Sequence, residues 1–413
     1  MCAFANSLTR TALAALVACA LVAAALPVVP LWAQGADHAD ERAPARKPAK
    51  KKVPTKKPAE RQKPEAPPVR IPFSAADEEV AVVPNIPDAR AWGDSEREFA
   101  RLLPQAAGPW LALSGGGADG AYGAGLVVGW TQSGKRPEFA VVTGVSTGAV
   151  SALFVFLGPR YDEELRRNFT TITAADVFSI GGVDEALFDT WPLKRLIERR
   201  VTRELIAAIA AEHRRGRRLL VVTTNLDSGR PVAWNMGAIA AHGGDRALRL
   251  IHQILLASSS IPGLFPPVYI DVEANGLRFQ EMHADGTITA PFYLAPNSML
   301  SPDASVRLPA TELYVIVNGK LTPDFLMPER ERSVILSRSL GVALQFGLRA
   351  QVLRTHAAAA RLNIGYHLAF VNPEFSFPSR GAFDPDYMKA LFDAAAEAGK
   401  NGTAFRDRPP DLP

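Results

Sequence analysis

Two glycine-rich segments, each closing an apolar run, constrain this chain more than anything else in it. The first is Leu111-Ala112-Leu113-Ser114-Gly115-Gly116-Gly117-Ala118-Asp119-Gly120, and the second is Val141-Val142-Thr143-Gly144-Val145-Ser146-Thr147-Gly148. An apolar run that ends in glycines reads as a strand turning sharply at its carboxyl end. Gly144-Val145-Ser146-Thr147-Gly148 is a G-x-S-x-G, the strand-to-helix turn that holds a serine hydroxyl up as a nucleophile. Backbone N–H groups of the first segment, at a neighbouring strand end, offer a place to receive an oxyanion. Together the two segments describe a serine hydrolase.

The surrounding pattern supports a scaffold for that chemistry. Strand-like runs at Trp110–Leu113, Phe139–Thr143, Leu219–Thr223, Val268–Val272 and Glu312–Val317 alternate with helical stretches at Ala149–Leu157, Pro192–Glu212 and Ala247–Ala257. Ser333–Arg354 and Tyr387–Ala398 read as further helices. Such alternation predicts an α/β fold with a mostly parallel sheet sandwiched by helices. In such sheets ligands bind beyond the carboxyl ends of the strands, where both glycine segments fall. Trp191, Trp234 and Phe265 read as core or pocket lining.

The first seventy or so residues do not look globular. After Arg10, Thr11–Ala33 is apolar and uncharged, which reads as a secretory signal peptide. The run is also long enough for a membrane anchor, and Leu16-Val17-Ala18-Cys19 resembles a lipobox that would lipidate Cys19. Each reading predicts export to the periplasm or cell envelope. Both cysteines, Cys2 and Cys19, lie in this leader, so a mature chain cut after Ala33 has no disulfide framework and no thiolate site.

Residues 34–72, rich in Lys, Pro and Ala, predict a disordered linker, with a catalytic domain over 73–413. The linker also carries the charge. Of the whole-chain +4, residues 41–70 supply +8 and residues 1–40 supply −1, which leaves −3 for 71–413. The basic balance therefore belongs to a tether, as a spacer or as a loose attraction to anionic headgroups, and no nucleic acid is expected as a partner.

Each motif has a rival meaning. Gly115-x-Gly117-x-x-Gly120 also fits the dinucleotide fingerprint, which requires an acidic residue closing the next strand. That strand ends in Thr143-Gly144-Val145-Ser146, with Glu138 ahead of it, so the nucleotide reading fails. For the base that a serine needs, His213, His242, His252, His283, His356 and His367 are candidates, none in a distinctive motif. Asp285, in Met282-His283-Ala284-Asp285-Gly286-Thr287, is another. A desolvated carboxylate is basic enough to accept a serine proton, yet Asp-Gly is most often only a turn. Asn225 and Asp227 sit at another strand end and read as an Asx turn or a pocket wall. With no histidine pair at zinc spacing and no calcium loop, no metal or cofactor is expected.

Four ordered blocks raise a resemblance. Gly115-Gly116-Gly117-x-x-Gly120, then Gly144-x-Ser146-x-Gly148, then Ala257-Ser258-Ser259-Ser260-Ile261-Pro262-Gly263-Leu264-Phe265-Pro266-Pro267-Val268, then Asp285-Gly286 is similar to the patatin-like phospholipase family of bacteria. The resemblance implies Ser146 as nucleophile, Asp285 as its sole partner and an oxyanion hole from Gly115, Gly116 and Gly117. It implies hydrolysis of fatty-acyl esters of lipids or phospholipids, with a membrane surface as partner and no cofactor. A general esterase or lysophospholipase on the same scaffold, and a non-catalytic lipid-binding envelope protein, are the alternatives. Two positions depart from the family pattern. Asp119 stands where Arg or Lys is usual, and Thr287 follows Asp285-Gly286 where Gly or Ala is usual. His283, two residues before Asp285, shares its face of an extended strand.

Overall fold

The computed structural model describes residues 70–411, apart from 182–185 and 305. The leader, both cysteines and the linker as far as residue 69 lie outside the described residues. The folded body reaches back to Arg70, whose guanidinium meets Asp227 (2.6 Å) and the carbonyl of Gln280 (2.8 Å).

The strands in chain order are β1 (Arg90–Trp92), β2 (Gly108–Leu113), β3 (Val141–Val145), β4 (Ser179–Ile180), β5 (Phe188–Asp189), β6 (Arg218–Asn225), β7 (Arg230–Asn235), β8 (Val268–Ala274), β9 (Leu277–Asp285), β10 (Ala310–Val317) and β11 (Gly365–Phe370). The longer helices are α1 (Gly120–Gln132), α2 (Thr147–Leu157), α3 (Asp162–Thr170), α4 (Trp191–Arg200), α5 (Arg203–Arg214), α6 (Gly244–Ser258), α7 (Arg332–Leu362) and α8 (Pro385–Asn401). Nine strands form one sheet, in the order β1-β7-β6-β3-β2-β10-β11, with β9 paired to both β6 and β8. The run from β6 through β3, β2 and β10 to β11 is parallel, whereas β1, β7, β8 and β9 pair antiparallel. All five runs expected as strands are strands.

The parallel strands are buried on both faces, as helices on either side of a sheet require. Along β2, Leu111 and Leu113 face one apolar cluster while Trp110 and Ala112 face the other. Along β3, Val142 joins the first cluster, and Val141 and Val145 join the second.

Three departures from expectation have physical causes. The helix expected over Pro192–Glu212 is two, α4 and α5, because Thr202 is extended and its hydroxyl accepts the Leu205 N–H at 3.4 Å. Threonine caps a helix better than it continues one. Helix α1, glycine-rich enough to pass for loop, forms because its glycines admit α8 at backbone contact. A Cβ on Gly125 or Gly129 would stand 2.1 Å or 1.8 Å from the carbonyl oxygens of Phe392 and Ala396. Trp191, expected in the core or a pocket wall, is 53% exposed beneath the Arg195 guanidinium, while Trp234 is fully buried and Phe265 lines an apolar cavity.

The ladder on β6 joins two strand ends. Val222 is registered with Val145 of β3, and the next residue, Thr223, is registered with Asp285 of β9. One strand thus sets side by side the end of β3, where Ser146 peels away, and the end of β9, where Asp285 stands.

Candidate active site

Ser146 joins β3 to α2 with φ 54° and ψ −127°. Positive φ is rare for a residue with a side chain and marks stored strain. Two glycines make the turn possible. A Cβ on Gly144 would lie 2.4 Å from the Gly148 carbonyl oxygen, and one on Gly148 would lie 2.5 Å from those of Leu113 and Ser114. The Ser146 N–H donates to Ser258 Oγ (2.9 Å), which donates to the Val222 carbonyl (2.8 Å).

Asp285 ends β9 and caps the short turn Gly286–Ile288, its Oδ1 accepting the Thr287 N–H at 2.8 Å. Its own N–H donates to the Ser260 carbonyl (2.9 Å), and Thr224 Oγ1 donates to its carbonyl (2.9 Å). Burial pushes its carboxyl up to about 6, while hydrogen bonds from Thr287 and from the Ser146 side chain pull the other way. The structure therefore brings Ser146 and Asp285 together, on opposite sides of the Ser258-Ser259-Ser260 turn that holds both backbones.

The glycine loop closes the third side. The Cα of Gly115 lies against Ser146 and Thr287, so that a Cβ there would stand 2.5 Å from Thr287 Oγ1. The Gly115 N–H is already donated to the Pro291 carbonyl (3.2 Å), whereas among the described residues those of Gly116 and Gly117 meet no acceptor. Asn318, just past β10, shapes this loop. Its N–H and Nδ2 donate to Ser114 Oγ (2.8 Å) and the Ser114 carbonyl (2.7 Å), and its Oδ1 accepts the Gly123 N–H (3.0 Å). None of the sequence motifs points to Asn318, although a polar residue at a strand end in Val317-Asn318-Gly319 is a signal. Asp119 ends the loop with Tyr387 Oη donating to it at 2.7 Å. Burial raises the Asp119 carboxyl to about 6, against that hydrogen bond and the charge of Lys320.

A narrow apolar cavity opens at Ser146. Val150 and Phe154 of α2, Leu193 and Ile197 of α4, Leu255 and Phe265 give it apolar walls. Thr147 and Asn168 also line it, and among the described residues their buried Oγ1 and Nδ2 meet no hydrogen-bond partner. Apart from Arg200 at its margin, its walls are mainly apolar and suit a hydrocarbon chain.

No histidine lines the cavity. His283, on the same strand as Asp285, is fully buried, with Nδ1 2.9 Å from Thr223 Oγ1 and Nε2 3.1 Å from Glu281 Oε2. A carboxylate only accepts, so Nε2 carries the hydrogen and Nδ1 takes one from Thr223. Glu281 is paired with Arg90 (2.9 Å from Oε1). Burial opposes its ionisation, but Arg90 and His283 outweigh this and hold it at about 2. Both nitrogens of His283 are thus spent on a structural network. His252 and His367 are engaged elsewhere, with the Val201 carbonyl and Glu312. Asn225 makes the Asx turn, its Oδ1 accepting the N–H groups of Asp227 (2.9 Å) and Ser228 (3.2 Å). The described residues contain no cluster of His, Cys, Asp and Glu that could hold a metal ion.

A strained serine beside a buried carboxylate, above an apolar cavity and at the strand ends of an α/β sheet, defines the class of serine acyl hydrolases. Residues 111–296 match the patatin-like phospholipase family model. The chain carries a patatin-like phospholipase domain, and the protein is a hydrolase of lipid esters. The fold is the patatin-like one. No curated protein matches the chain. Among solved structures, VipD from Legionella pneumophila is similar to it at 13% identity, over 74% of this chain and 70% of that one, with a TM-score of 0.33.

Proposed function

We propose that this hydrolase works through a Ser146–Asp285 dyad with an oxyanion hole in the glycine loop. The observation that carries the reading is the strained Ser146 held beside a carboxylate that burial has made basic. Ser146 Oγ attacks the ester carbonyl carbon as its proton passes to Asp285. The oxyanion rests on the N–H groups of Gly116 and Gly117, while Gly115, whose N–H is engaged with Pro291, supplies the open space in front of the serine. The alcohol leaves with the proton from Asp285. Water, deprotonated by Asp285, then attacks the acyl-enzyme, and the fatty acid departs as Ser146 recovers its hydrogen. The acyl chain lies in the apolar cavity.

Hydrolysis of a short p-nitrophenyl ester by the full chain tests this. Ser146→Ala and Asp285→Asn are each expected to lose at least about a thousandfold in kcat/KM. Retention of activity in Asp285→Asn would transfer the base to another group and end the dyad. On the leader-like character of residues 1–33, we place the site of action at the cell envelope. Recovery of the protein in the cytosolic fraction of producing cells would refute that.

A further inference from the structure

Helix α7 shows an unusual face to solvent. Ile335, Leu336, Leu340, Phe346 and Leu353 stand exposed, and Phe325 and Met327 just ahead of the helix are 91% and 79% exposed. The well-exposed positions from Ile335 to Leu353 carry no charge, a stretch of about 27 Å along the helix. Contiguous apolar surface on this scale marks an interaction site. The helix holds Arg332, Arg338, Arg349, Arg354 and Arg361 and no acidic residue.

The face borders the candidate active site. Gly347 lies against Pro291, whose carbonyl takes the Gly115 N–H. Gln345 donates to the Lys320 carbonyl (3.4 Å) and Arg338 to that of Asp324 (3.0 Å), while the charges of Lys320 and Asp324 both act on Asp119 in the glycine loop.

We propose that this face of α7, with Phe325 and Met327, docks on an anionic lipid surface and so presents the cleft at Ser146 to its substrate. Charge selects the occupant. Around the stripe, Lys320, Arg330, Arg332, Arg338 and Arg354 outnumber Asp324, Glu329 and Glu331, and this basic excess beside an apolar stripe complements anionic headgroups over a hydrocarbon interior. A second copy would bring the same arginines face to face across a two-fold axis. The purpose of docking rests on the lipid-hydrolase reading, but the docking itself does not.

Vesicle co-flotation of the full chain tests it, with vesicles of phosphatidylcholine alone or mixed with phosphatidylglycerol. The comparison is between wild type and the triple variant Phe325→Ser, Phe346→Ser, Leu353→Ser. The basic linker is common to both proteins, so the difference reads the α7 face. The variant is expected to lose about tenfold or more in partition onto the mixed vesicles and in hydrolysis of vesicle lipid, while hydrolysing a soluble short ester at the wild-type rate. Equal partition of the two proteins would overturn the proposal. So would a wild-type dimer that the substitutions dissociate with partition unchanged, since the face would then belong to a second copy. Loss of partition in a protein without any esterase activity would keep the docking and sink the hydrolase mechanism instead.

Discussion

Asp285 is held where its charge costs stability. Its carboxyl ionises near 3.8 in ordinary surroundings and about 6 in the fold, because burial disfavours the anion. The folded state therefore keeps a proton that the unfolded chain has already lost between those values. Stability from this group is full at low pH and falls as pH rises through that window. In the proposed dyad catalysis runs the other way, since only an ionised carboxylate accepts the serine proton. We expect kcat/KM for a soluble ester to fall about tenfold per pH unit below about 6 and to level off above it. We also expect Asp285→Asn, inactive, to be more stable than wild type at pH 8, on the order of 1–3 kcal/mol, by thermal unfolding. A variant less stable than wild type at that pH would mean that the carboxylate is not under this strain. At this scale the sequence is informative about identity but not about division of labour. Ser146 stands out by its G-x-S-x-G motif and Asp285 only by the family resemblance, and nothing in Gly115-Gly116-Gly117 tells that the first N–H is spent on Pro291.

Among the elements, the end of α6 matters most. Ser258 satisfies the backbone N–H of Ser146 with its hydroxyl, and two residues on, Ser260 receives the N–H of Asp285. Ser258→Ala takes the hydroxyl acceptor from the Ser146 N–H in a buried turn. A stability loss of about 1–3 kcal/mol is expected. A fall of about 10- to 100-fold in kcat with little change in KM is expected too, because the serine is displaced rather than its lipid. Wild-type melting and turnover in that variant would show that the elbow stands without the clamp. The block around Ser258 is visible in the sequence as a landmark, and its task is not, because the bond it makes crosses from a helix end to a strand end far along the chain. Strand β9 is hidden for a different reason. Its buried positions include Glu281, His283 and Asp285, so the apolar alternation that betrays a half-buried strand is missing.

For the molecule as a whole, the parallel centre of the sheet is legible, since its strands are continuous apolar runs closed by glycines. The antiparallel margin of β1, β7, β8 and β9 is only partly so, its strands being short or polar on one side. The exposed face of α7 is not legible at all, because a helix rich in Leu and Ala looks the same in sequence whether its apolar side meets a core or water. No described helix is long and apolar enough to cross a membrane.

Because β6 pairs with both the strand that ends before Ser146 and the strand that ends at Asp285, the proposed dyad depends on two separate strand pairings. Release of the β8–β9 hairpin from β6 would carry Asp285 away from Ser146, however intact the rest of the sheet. In the proposed mechanism a chain whose hairpin has not yet docked on β6 would therefore be inactive, a latency set by strand order.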